Sequence, residues 1–96
     1  MINLQKVETR KSLMKGKYRE YHSLSLISVN PDSIITVQPV SSGLIKEING
    51  EPCPGKNFTK VTYNLGASVE TITVLGEYAK IMNKISNKTT RAVLHD

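Results

Sequence analysis

The chain has 96 residues, of which 39% are hydrophobic and 22% charged, with a formal net charge of +5 and a sequence pI of 9.5. That length holds one small domain and not two, and that mixture excludes wholesale disorder. A single cysteine excludes an intramolecular disulfide, and no stretch approaches the roughly 20 apolar residues of a membrane span.

Ile2, Leu4 and Lys6 alternate with Asn3, Gln5 and Val7, which predicts a first strand over residues 1–7. Residues 8–17 are polar and basic, interrupted by Leu13, Met14 and Gly16, and read as a loop with room for one helical turn. Leu24 and Leu26 alternate with Ser23 and Ser25 ahead of Ile27 and Val29, a second strand over 22–29. Asn30-Pro31-Asp32-Ser33 is a turn, because Pro31 presets φ and the flanking Asn and Asp can bond the following backbone. The β-branched run 34–40 is a third strand, and Pro39, lacking a donor, places it at an edge.

After a connection at 41–43, residues 44–48 form a short strand before the tight-turn dipeptide Asn49-Gly50. Two prolines and a glycine in 51–56 permit neither helix nor ladder. Residues 58–65 place Val61, Tyr63 and Leu65 on one face. Gly66-Ala67-Ser68 turns the chain, and 69–75 sets Ile72 and Val74 opposite Thr71 and Thr73, which completes a hairpin. Gly76 breaks that strand and Glu77 opens a helix. Its stripe of Tyr78, Ile81, Met82 and Ile85 reads as core, Lys84 and Lys88 suit its C-terminal dipole, and Asn87 stops it. Residues 1–88 are read as one domain and 89–96 as a polar tail. The expected fold is α+β: a small, mostly antiparallel sheet of about five strands, with one C-terminal amphipathic helix packed on one face.

Catalysis needs convergent groups, and few are present. His22, His95 and Cys53 do not supply the four ligands and spacing of a zinc site. Cys53 with His22 as base would make a nucleophile pair, but a free thiol in a proline-rich loop is the plainer account. Gly43, Gly50 and Gly55 match no phosphate-binding loop, and Glu47 and Glu51 read as solvated carboxylates flanking a turn. The expectation is no enzyme, no metal and no cofactor. No signal peptide is visible, since Asn3 and Gln5 break the first apolar run, so the expected location is the cytoplasm of a cell or of an infected host.

The basic character is local. Up to Tyr21 the chain carries six basic side chains against two acidic ones, whereas the remainder carries seven against six. The segment reads Arg10-Lys11-Ser12-Leu13-Met14-Lys15-Gly16-Lys17-Tyr18-Arg19-Glu20-Tyr21. Arg10, Lys11, Lys15, Lys17, Tyr18 and Arg19 are the candidate binding residues. Cations pair with phosphates and tyrosines stack on unpaired bases, as single-stranded RNA or DNA binding would use. The same charges would speed encounter with an acidic protein surface. A solubilising loop of solvated lysines is the blander account. Lys80, Lys84 and Lys88 make a basic ridge of an ordinary exposed helix face.

Val29-Asn30-Pro31-Asp32-Ser33-Ile34 resembles the segment that opens small FlbD/SwrD-like proteins, in which a pair such as asparagine-proline leads into an apolar strand. Residues 61–74 resemble their threonine-rich hairpin, 77–85 their terminal helix, and Met1-Ile2-Asn3-Leu4 their first strand. Residues 8–21 and 41–57 depart from that pattern as insertions. The resemblance implies a small, non-enzymatic protein; the family is associated with flagellar motility, and phages encode short proteins of similar pattern. The expected function is a regulatory or inhibitory protein, of the kind phages encode, that binds a larger host protein through its basic loop and a sheet edge. The alternatives are nucleic-acid binding through residues 10–21 and a structural subunit that assembles with copies of itself.

Overall fold

The structure, a computed structural model, describes residues 1–40, 45–52 and 57–87. Its elements are β1 (Ile2–Met14), β2 (Lys17–Val29), β3 (Ile34–Pro39), β4 (Glu47–Ile48), β5 (Glu51–Pro52), β6 (Phe58–Asn64), β7 (Val69–Leu75) and α1 (Tyr78–Ser86). Five strands form one sheet in the order β2-β1-β7-β6-β3, every neighbouring pair antiparallel. β4 and β5 pair separately. The α+β architecture expected from the sequence is the one observed. The connection 41–43, Cys53, His95 and the tail 89–96 lie outside the described residues.

Successive side chains of a strand point to opposite faces, so each face of the sheet collects its own residues. Toward the helix come Ile2, Leu4, Val29, Val61, Ile72 and Val74, closed over by Ile81 and Ile85. Val61 and Val74 are wholly inaccessible to solvent. On the other face Val7 and Phe58 pack with Ile45, and Leu24, Val40, Ile48 and Leu75 pack around them. The sheet is thus covered on both sides, by the helix on one and by the chain around Ile45 and Ile48 on the other.

The turns form by the local bonding that their residues predict. Asn30 Oδ1 accepts the Asp32 N–H at 3.0 Å, and Pro31–Ser33 forms one 3₁₀ turn. Asn64 Oδ1 accepts the Gly66 N–H at 2.8 Å at the head of the β6–β7 hairpin. Gly76 ends β7 with φ 141°, and a β-carbon there would stand 2.9 Å from Ile81 Cδ1. Its bareness lets the helix drop onto the sheet. The buried Thr59 hydroxyl donates to the Gly76 carbonyl at 2.9 Å, which satisfies both groups. β3 is an edge strand, with Pro39 opposite Thr59 and a bulge between Ile34 and Thr36.

Four expectations need correction. Residues 8–17 are not a loop: β1 runs on to Met14 and β2 begins at Lys17. Glu51 and Pro52 do join a ladder, opposite Ile48 and Glu47, because a proline on a strand with a free edge forfeits no bond. Leu65 does not share the core face of Val61; β6 ends at Asn64 and Leu65 is exposed in the turn. Tyr78 is 41% exposed, whereas Ile81 and Ile85 are buried. Helical side chains lean toward the helix start, which carries a first-residue side chain past the sheet beneath.

The core and the exposed outer half of β1 should therefore respond differently to the same truncation. Leu4→Ala is expected to cost about 2–5 kcal/mol in denaturant unfolding. Leu13→Ala, at a position 61% exposed, should change stability by no more than about 0.5 kcal/mol.

Candidate interaction surface

β1 and β2 pair without interruption from Ile2↔Val29 to Met14↔Lys17. β7 meets β1 at Lys6↔Val74. From Thr9 outward, β2 is the only strand paired with β1 among the described residues. Residues 9–14 and 17–21 are exposed on both faces. Six residues at about 3.4 Å each give this two-stranded ribbon a length of roughly 20 Å. Lys15 and Gly16 close it with φ 52° and 77°. Two positive φ values in a two-residue loop match the right-handed twist of a hairpin.

The ribbon is anchored at its base. Lys6 Nζ lies 3.9 Å from both Glu8 and Glu70, and Ser25 donates to Glu8 at 2.9 Å. Tyr63 donates to Glu70 at 3.4 Å. Partial burial first, then the Glu70 charge and this bond, raise the Tyr63 pKa above its ordinary value. Farther out, the Thr9 hydroxyl and His22 Nδ1 stand 3.0 Å apart across the strands. The β4–β5 turn lies against the outer edge of β2: Asn49 N–H donates to the His22 carbonyl at 2.8 Å. The Tyr21 hydroxyl lies beside Gly50, where an added β-carbon would stand 3.2 Å from it. Arg19 and Glu47 form an exposed ion pair at 4.0 Å, a contribution of about 0–1 kcal/mol.

Directly paired residues share a face, so the register divides the candidate residues. One face carries Arg10 with Tyr21, Ser12 with Arg19 and Met14 with Lys17. Its six ribbon residues include three cations and no carboxylate, and Glu47 of β4 reaches Arg19 from outside the ribbon. The other carries Thr9 with His22, Lys11 with Glu20 and Leu13 with Tyr18. Its charges cancel, and its outermost pair is apolar, with Leu13 61% and Tyr18 78% exposed. A concavity of about 410 Å³ has Lys11, Tyr18 and Glu20 in its wall. Lys15 sits at the turn between the faces.

The other candidates are not drawn together. Glu47 and Glu51 occupy different cross-strand pairs, Glu47 with Pro52 and Glu51 with Ile48, and so face opposite ways. Among the described residues no three His, Cys, Asp or Glu side chains gather as metal ligands, and no helix is long and apolar enough to cross a membrane. Lys84 donates to the Asn3 carbonyl at 3.2 Å and ties the helix to β1, whereas Lys80 is exposed and Lys88 lies outside the described residues. Sequence reasoning found the charges but missed the ribbon that orders them. The Lys15-Gly16 turn was its one local signal.

Comparison of the chain with protein-family models, with curated proteins and with solved structures finds no match.

Tyr63 gives this base a pH signature. A raised folded pKa favours the neutral phenol, so its contribution is complete below the unfolded pKa and is lost as pH rises through the folded value. An alkaline titration followed by tyrosinate absorbance should lose a step above 10.0 in Tyr63→Phe. Glu70→Gln should move that step down without restoring the ordinary value, since burial remains. An unmoved step would remove Glu70 as a cause.

Proposed function

We propose that this is a small, non-enzymatic regulatory or inhibitory protein, of the kind phages encode, which binds a larger protein through the β1–β2 ribbon. One observation carries the reading: the Leu13–Tyr18 pair stands exposed at the end of the ribbon, with Arg10, Lys11, Lys15, Lys17 and Arg19 around it. Aromatic and apolar anchors supply most of the energy of protein contacts, while surrounding cations steer encounter with an acidic partner. A lone two-stranded ribbon is marginal in water, so a partner that covered it would also order it. The resemblance to FlbD/SwrD-like proteins supports the small, non-enzymatic character. The ribbon falls in the insertion at residues 8–21, so the family's motility role is not carried over.

The cationic face favours a second reading. Arg10, Lys17 and Arg19 share it with Tyr21, and a two-stranded ribbon is an element that the DNA major groove admits. Such binding would weaken steeply with salt.

A tagged pull-down from native lysate, divided into nuclease-treated and untreated halves, separates these readings. The expected result is one discrete protein that survives nuclease and is lost from the Leu13→Ser/Tyr18→Ser variant, itself as stable as the parent. Recovery that vanishes with nuclease, and with neutralisation of Lys15, Lys17 and Arg19, would replace the first reading by the second. Elution far above 10.7 kDa without any partner would instead mark an assembly subunit.

A further inference from the structure

In an antiparallel ladder, alternate residues turn both backbone groups toward the partner strand, and the residues between turn both away. His22 turns away from β1, because its carbonyl takes the Asn49 N–H on the outer side of β2. Its pair-mate Thr9 must then turn away from β2, as must Lys11 and Leu13, which have the same parity. Met14 and Lys17, of opposite parity, bond each other across the two-residue turn. β7 is paired with this edge of β1 only at Lys6. Past that point Thr9, Lys11 and Leu13 present their N–H and carbonyl groups with no backbone partner among the described residues.

We infer that this edge of β1 accepts an extended acidic segment of the partner protein as an added strand. The inference rests on the ribbon being the docking element. Main-chain bonds would give such a contact its affinity, and side-chain positions its choice of sequence. Charge complementarity selects the occupant. The new strand would lie beside Arg10 on one face and Lys11 on the other, and then beside Leu13. Carboxylates followed by an apolar residue meet that order. A second copy of the chain does not, because two such edges paired about Lys11 set Lys11 against Lys11 of the copy, and directly opposed like charges destabilise a sheet. A duplex meets the cationic face but cannot supply a ladder of alternating donors and acceptors.

The test follows amide exchange in the isotope-labelled full chain. The probe is a short blocked peptide alternating valine and glutamate, with its valine–lysine counterpart and a short DNA duplex as comparisons. The glutamate peptide should slow exchange at Thr9, Lys11 and Leu13 by about tenfold or more, and leave Arg10 and Ser12, already bonded within the ribbon, unchanged. Thr9→Pro, which removes an outward N–H and no ribbon bond, should abolish the slowing; Thr9→Val, which drops the hydroxyl alone, should retain it. Unslowed exchange, equal slowing by the lysine peptide, protection by the duplex alone, or slowing that persists in Thr9→Pro would each overturn the inference. The lysate capture separates the two proposals. Loss of the captured protein from the Leu13/Tyr18 variant but not from Thr9→Pro overturns strand addition and leaves ribbon docking. Loss from neither removes both.

Discussion

The fold depends on how two half-sheets are joined. β2 and β1 form one half, and β7, β6 and β3 the other, and their ladders meet in one backbone pair, Lys6↔Val74. A net hydrogen bond contributes about 0.5–1.5 kcal/mol. Burying an aliphatic side chain contributes about 1.5–3 kcal/mol, and the join buries Ile2, Leu4 and Val29 from one half against Val61, Ile72 and Val74 from the other. The side-chain layer therefore outweighs the ladder. Ile81 and Ile85 of the helix complete that layer, and Lys84 ties the helix back to β1. Polar groups continue the join where the apolar face ends, with Lys6 set between Glu8 and Glu70. Farther out, the β4–β5 turn flanks the ribbon along the outer edge of β2, through Asn49 and Glu47.

The same division explains what the sequence disclosed. Val61, Ile72 and Val74 alternate with polar residues because one face of their strands meets the helix, and that periodicity located the β6–β7 hairpin. Asn30-Pro31 and Asn49-Gly50 marked real turns by their own chemistry. Residues 9–14 gave no such signal. Both faces of the ribbon are wet, so no hydrophobic alternation was needed, and its strand character comes from register with β2. Its turn uses Lys15 where Asn or Asp is usual, which muted the local cue. Of the candidate site, the six residues were legible as a cluster; their partition between two faces was not, because it follows from pairing across a gap that sequence order does not show.

That partition changes what the cluster can do. As a loop, five cations and a tyrosine make a diffuse positive cloud. As a ribbon, Arg10, Lys17 and Arg19 share one face, where the only ion pair is that of Arg19 with Glu47 among the described residues, while Lys11 is balanced by Glu20 beside the apolar end. Cations along an open edge also discourage pairing between copies.

The bulge between Ile34 and Thr36 and the proline at the end of β3 blunt the far margin of the sheet. Filaments built by lateral strand pairing need two compatible margins, one to accept and one to offer. Under the strand-addition proposal, the ribbon supplies the first and the blunted opposite side does not supply the second. Capture of a strand would therefore end in a closed one-to-one complex, saturable and self-limiting, however high the concentration of either component.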